Sequence, residues 1–286
     1  MLLFKRFCEI EVGKKGEVGK LFDQRFSADF AIDRTADPKQ PDSMTLNLYN
    51  VSLSASDINT DYFCTVRAGY EDAQGVVYSG DIVFASEKID GVDRVLTLDC
   101  GDGYTALKQA QVNKSFRAGT ASADIVDEVV NAMKREGKIA IEKGKQAIIK
   151  LIKGDEPAGT TLKSIASDFL RNYLRKNNKT FKVENNELVI YDIGKSDQRK
   201  KIILTPKTGL IGSPTKDVKE HTEKGKPTQK INVVNFRALI QPGFTPGQIV
   251  NISSKHIDGD YIIERVRIAG ETRGSNWYAD CLAMEA

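Results

Sequence analysis

Histidine is almost absent from this 286-residue chain, which has only His221 and His256. Enzymes working near neutral pH lean on histidine as base, proton shuttle or metal ligand, so few such sites can be assembled here. His221 stands in a very hydrophilic run, where a side chain is hard to hold in a reactive geometry, and His256 sits beside the Asp258-Gly259 turn. Cysteine is also scarce. Cys8, Cys64, Cys100 and Cys281 form no C-x-x-C pair and each lies in an apolar, strand-like segment. A zinc site of Cys and His therefore lacks its usual spacing, and the four read as buried reduced thiols of a protein made in a cytoplasm. Long apolar runs are missing as well: Ile202-Ile203-Leu204 is a typical example, whereas a membrane helix needs about 20 apolar residues. The start, Met1 to Arg6, lacks the apolar stretch of roughly 7–15 residues that a secretory signal requires. Neither export nor membrane insertion is expected. No H-E-x-x-H, G-x-S-x-G or Walker pattern occurs.

What is present is an ordinary globular composition, 40% hydrophobic and 28% charged, in a chain long enough for two or three domains. Charge is unevenly placed. Lys134 to Lys230 holds 23 Lys/Arg against 12 Asp/Glu, a local +11; the overall +3 then leaves −8 for the two flanks together. A basic middle between acidic ends suits a nucleic-acid contact, a solvated surface or a face docking on an acidic partner.

The first hundred residues alternate apolar with polar over Phe4–Val12, Arg25–Ile32, Met44–Asn50, Tyr62–Tyr70, Val76–Phe84 and Val92–Cys100. Period-2 alternation marks strands with one buried face. Turn chemistry separates them, for example Asp72-Ala73-Gln74-Gly75 and Asp90-Gly91. Six short strands at this spacing predict a sandwich or small barrel, interrupted by a short helix over Ser54–Ile58 with Ser54 as cap. The period changes after Cys100. Thr105–Ala110 reads as a short helix. Ser122 caps a longer one with apolar positions Ile125, Val126, Val129, Val130 and Met133, and Gly137 stops it. Another helix is expected from Thr160, with Leu162, Ile165, Phe169, Leu170 and Tyr173 on its stripe. A hairpin follows, Thr180–Glu184 and Glu187–Tyr191, turned by Asn185-Asn186. Beyond a polar connector, Gly194–Lys201, come a short strand at Lys201–Thr205 and a turn at Ile211–Pro214. Asp217–Thr228 then reads as an exposed loop. Alternation returns over Ile231–Leu239, Gln248–Ser253, Tyr261–Ile268 and Asn276–Ala283, predicting a second barrel. The expected fold is thus mainly β with an α+β insertion: a first β-barrel over 1–105, a two-helix module over 106–195 and a second β-barrel over 196–286.

The nearest thing to a carboxylate cluster is Asp57, Asp99 and Asp102. Asp99-Cys100-Gly101-Asp102-Gly103 reads most simply as a strand end, a glycine turn and a helix cap. Trp277 and Tyr278, on an alternating strand, read as core and surface neighbours and not as a sugar platform. No catalytic, cofactor-binding or metal-binding residue is assigned, and no enzymatic activity is expected.

Several segments in one collinear order resemble a known family. Asp61-Tyr62-Phe63-Cys64-Thr65-Val66-Arg67-Ala68-Gly69-Tyr70 is followed by Val77–Ile82, Gly91–Arg94 and Asp99–Gly103; Ala238–Gly247, Asp258–Tyr261 and Gly270–Tyr278 follow in the last third. This order resembles the hub proteins of bacteriophage tails, including contractile ones. The resemblance covers both β regions, while the middle helices match only in general pattern. It implies two tail-tube-like β-barrels per subunit and a homotrimer whose six barrels join the hexameric tail tube to the central trimeric spike. It further implies contacts with other baseplate proteins, DNA as a transient passenger in the lumen, and residence in the virion after assembly in the host cytoplasm. An acidic lumen would let DNA slide, and the basic module would face outward. Competing expectations are a nucleic-acid-binding protein, held by Lys134–Lys230, and a tail-associated cell-wall hydrolase working near Asp99 and Asp102.

Overall fold

The computed structural model describes residues 5–37, 40–59, 61–141, 154–156, 158–192, 201–221 and 229–286. The N-terminal β region contains β1 (Arg6–Lys14), β2 (Lys20–Asp23), β3 (Ala28–Thr35), β4 (Ser43–Tyr49), β5 (Tyr62–Tyr70), β6 (Ala73–Asp90) and β7 (Asp93–Gly101). The middle holds α1 (Tyr104–Lys108), β8 (Gln111–Phe116), β9 (Thr120–Ala121), α2 (Ser122–Gly137), β10 (Ala140–Ile141), β11 (Asp155–Glu156), β12 (Thr160–Ile165), α3 (Ala166–Lys176), β13 (Lys179–Glu184) and β14 (Glu187–Asp192). The C-terminal β region contains β15 (Ile202–Leu204), β16 (Leu210–His221), β17 (Gln229–Leu239), β18 (Ile249–Ser253), β19 (Asp258–Glu271) and β20 (Trp277–Glu285).

Alternation does what it predicts in both β regions. Cys8, Ile10 and Val12 of β1, Phe30 and Ile32 of β3, Leu46 and Leu48 of β4 and Leu96 and Leu98 of β7 are all buried, and the residues between them, polar except for Ala31, face out. The two regions are not separate sheets. β3 pairs antiparallel with β19, Arg265 opposite Thr35 through Glu271 opposite Asp29. The resulting order is β16-β17-β20-β19-β3-β4-β7-β6-β5-β1-β2, with β15 and β18 joined at the side of β19. One hydrophobic core runs under both regions. The fold is mainly β with an α+β insertion, as expected; the barrel expectation takes the form of this continuous sheet, whose ladders do not close into a ring among the described residues.

Two long strands make the sheet continuous. β6 spends Ala73–Asp81 against β5 and Asp81–Asp90 against β7, with a bulge between Ile82 and Phe84. β19 lies against β20 on one edge and shares the other between β18 and β3. Ile211–Pro214 is not a free turn but part of β16, where the register shifts between Ile211 and Thr215. Of the expected loop Asp217–Thr228, residues 217–221 extend β16 opposite β17, and the rest lies outside the described residues. The connector expected at Gly194–Lys201 also falls mostly outside them.

The module has its own core of Ile125, Val129, Met133, Leu170, Leu174 and Phe181. Its helices differ from expectation in three places. Thr160–Ile165 is a strand, because it pairs antiparallel with β8; α3 begins only at Ala166, whose N–H donates to the Ala110 carbonyl at 2.9 Å. Ser122 does not cap α2: it is the first helical residue, and its hydroxyl accepts from the Tyr173 hydroxyl at 2.6 Å. The left-handed residue that ends α2 is Lys138, with φ 51°, not Gly137. Gly137 is needed for another reason. A Cβ there would stand 2.3 Å from that of Ala106, so glycine lets α1 and α2 touch. The Asn185-Asn186 turn is as predicted, with φ of 52° and 63°, the type I′ geometry that joins two-residue hairpins.

Candidate functional site

Three sheet rows end in charge. Counting in twos along the buried face, Phe30 and Ile32 lead to Arg34, Met44 and Leu46 lead back to Asp42, and Leu98 and Cys100 lead to Asp102. All three charged side chains are buried, and they meet buried Lys182 on β13. Lys182 Nζ lies 2.9 Å from Asp42 Oδ1, and Arg34 Nε lies 3.7 Å from Asp42 Oδ2. Arg34 also donates to the Val77 carbonyl at 2.6 Å and to Asn185 Oδ1 at 2.9 Å. Asp102 is fully buried and accepts from the backbone N–H groups of Asn185, at 2.5 Å, and Asn186, at 2.8 Å. The module's hairpin turn is therefore held on the β body by a carboxylate. A second tie lies alongside. Lys15 Nζ contacts Asp81 Oδ1 at 2.5 Å and donates to the Gly137 carbonyl at 2.7 Å, where the α2 C-terminus favours a cation. Asp81 accepts from the Thr105 N–H at 2.9 Å and so caps α1.

Burial raises the carboxyls of both Asp42 and Asp102. Asp42 faces two cations, whereas Asp102 has two N–H donors and the nearby Arg34, so a proton shared by the pair goes to Asp102. Desolvation, reinforced by the Asp42 charge, pushes Asp102 up to about 7.

Asp57, Asp99 and Asp102 play separate parts. Asp57 accepts from the Ser54 N–H at 3.1 Å in a short 3-10 turn over Ala55–Asp57, Asp99 accepts from the Thr45 hydroxyl at 2.8 Å on the outer face, and Asp102 is sealed inside. The cap expected of this stretch comes from Asp81. Trp277 is buried edge-on to Phe30 at 5.9 Å, and Tyr278 lies outside, under the Arg237 guanidinium at 3.9 Å. His256 is exposed, and the side chain of His221 lies outside the description. All four cysteines are buried and unbridged. No group of three or more potential metal-ligating side chains occurs among the described residues, and no helix among them is long and apolar enough to cross a membrane.

The outer face of the sheet carries a charge ladder. Arg237, Asp280, Arg267 and Asp33 stand in register on β17, β20, β19 and β3. Arg237 grips Asp280 through both nitrogens at 2.6 and 2.9 Å, and Arg265 grips Asp33 likewise, with Arg267 at 3.3 Å. Partial burial would raise the Asp33 carboxyl, but hydrogen bonds and charge from the two arginines outweigh it and hold it below its ordinary value. Two recesses flank the ladder: a polar one of about 540 Å³, lined by Asp33, Thr35, Lys219, Glu264 and Arg265, and a more open, mixed one of about 600 Å³, lined by Phe236 and Leu282 together with Asn235, Arg237, Arg267 and Asp280. Asp33 and Glu264 in the first and Asp280 in the second are tied to Arg or Lys, which suits structure and not proton transfer. Asp102, pushed up to about 7, is fully buried beneath the module's hairpin turn.

Sequence reasoning picked out Asp102 as a cap, or with Asp99 as the place of a competing hydrolase reading, and missed Arg34, Asp42 and Lys182. The available signal was parity: each of Arg34, Asp42 and Asp102 continues an apolar row at the same two-residue step.

The fold is that of tail proteins. The prophage MuSo2 43 kDa tail protein from Shewanella oneidensis superposes with a TM-score of 0.65 at 10% identity, covering 98% of each chain. A tail protein from Neisseria meningitidis MC58 gives 0.60 at 12% identity, over 99% of this chain and 97% of that one. The Escherichia coli c3393 protein gives 0.59 at 10%, over 96% and 77%. It is described as a type VI secretion component with structural similarity to the T4 bacteriophage tail proteins gp27 and gp5. No family model matches the sequence, and no curated protein is significantly similar to it.

Proposed function

We propose that this chain is a structural component of a phage tail, and specifically its baseplate hub: a homotrimeric adaptor that joins the hexameric tail tube to the central trimeric spike and lines the DNA channel. The β3–β19 pairing carries the reading. It makes one body from the two ends of the chain, with the module inserted between them, in a fold that two tail proteins share over almost their whole length. Two tube-like β units per subunit, 1–105 and 196–286, give six around a threefold axis, which reconciles a sixfold tube with a threefold spike.

The outermost strands support self-association. Among the described residues, β16 and β2 end the sheet without a further partner and carry exposed Ile211, Val218 and Leu21, and edges of this kind are templates for another chain. The ladder face is the one we assign to the lumen. It carries Asp29, Asp33, Asp99 and Asp280, and its Arg237, Arg265 and Arg267 are each held by an aspartate. Passing phosphates then meet few free cations to grip. The protein acts in the virion, after assembly in the host cytoplasm, without catalysis.

Mixing the purified chain with the tube and spike proteins of the same tail tests this. Formation of a ternary complex of tube, chain and spike is the expected result. Failure to bind either partner, together with salt-sensitive DNA retention or peptidoglycan cleavage by the chain alone, would overturn it.

A further inference from the structure

The buried junction has more charge than adhesion requires. An apolar contact of the same size would hold the module at least as well, because burying ion pairs costs desolvation that their attraction only partly offsets. Yet the module's hairpin meets the β body through Arg34, Asp42, Asp102 and Lys182, all buried. The contact is also tight: a Cβ on Gly103 would stand 2.5 Å from Val183 Cγ1, so the Val183 side chain of β13 packs directly onto the backbone beside Asp102. We propose that this junction is a proton-operated latch: the Asp102 carboxyl grips the β13–β14 turn through the N–H groups of Asn185 and Asn186, and its protonation state sets how firmly the module stays docked.

The groups facing Asp102 come from every element packed there. β3 supplies Arg34, the β3–β4 connection Asp42 and β6 Tyr78, while Lys182 and Glu184 of β13 act on Asp42 and reach Asp102 through it. With Asp42 and Asp102 both ionised, their two charges balance those of Arg34 and Lys182. The arrangement is uneven, though. Both cations lie on Asp42, whereas Asp102 is held by two N–H groups. Releasing the hairpin would hydrate Asp102 and return it towards its ordinary 3.8, whereas docking pushes it up to about 7. The sign follows: the docked form binds the proton more tightly. Docking therefore strengthens as pH falls from about 7 towards 4 and is weakest, and constant, above 7. Between pH 8.5 and 5.5 the docking constant rises about thirtyfold by proton linkage.

Hydrogen exchange on the full-length protein tests the latch. Protection of the Asn185 and Asn186 amides, corrected for intrinsic rates, is followed from pH 5.5 to 8.5, with the Val266 and Ile268 amides of the central sheet as internal standard. The expected result is a rise in protection of about thirtyfold on acidification at the turn alone, and a flat profile in D102N, whose side chain carries no titrating proton. Protection at the turn that ignores pH in the native protein overturns the proposal. So does a pH response that survives in D102N, or one shared equally by the sheet standards, which would report global unfolding. The outcome is independent of whether the chain is a hub.

Discussion

At the residue scale the decisive groups are the buried charges, because each is tolerable only while its partner is present. Asp42 is the pivot. It is 1% exposed and holds both Lys182 and Arg34. Replacing it by alanine removes the carboxylate that both cations contact and leaves two buried cations with Asp102 alone to offset them. The expected loss for breaking a buried pair is about 3–5 kcal/mol, read from urea unfolding. Combining Asp42→Ala with Lys182→Met should recover part of that loss, since one stranded charge goes with it. Asp102 was visible in the sequence as a residue of interest, but its role was not. A helix-cap reading used only local spacing, whereas its real partners, Asn185 and Asn186, lie more than 80 residues away.

Elements were legible where the pattern was local. Tyr62–Tyr70 has the bounds the alternation predicts, and α2 follows its Ile125–Met133 stripe. The Asn-Asn turn declares itself because asparagine takes positive φ more readily than most residues other than glycine. The misreading at Thr160 has a physical cause. Leu162 and Ile165 fit a helical stripe, but Thr160 and Thr161 are β-branched and the segment finds a partner in β8, nearly fifty residues upstream. β6 was undercounted for a similar reason: its outer half, Phe84–Asp90, is exposed and lacks strict alternation, yet β7 pairs with it to the tip. The α1–α2 contact gives a test at this scale. Glycine to alanine inside a helix ordinarily stabilises by up to about 1 kcal/mol. At Gly137 the sign should reverse, because the new methyl falls 2.3 Å from Ala106 Cβ. A loss of about 1–3 kcal/mol is expected from such overpacking, measured by thermal or urea melts, and the companion change Ala106→Gly should recover only part of it, because the new methyl still meets the Ala106 backbone at 2.7 and 2.8 Å.

For the whole molecule, the sequence announced two β regions and a module between them, but not how they join. Alternation marks which side of a strand is buried and is silent on its neighbour. The β3–β19 seam brings together residues some 230 positions apart, and nothing within a window of either strand encodes it. That seam makes the chain one body with two open ends, β16 and β2, and the hub reading closes those ends with further copies of the same chain. Light scattering on the purified protein across a concentration series tests this most directly. The account predicts a species of about three times the 31.6 kDa chain mass, alone or on addition of the spike. A chain that stays monomeric at every concentration and with the spike present would contradict it.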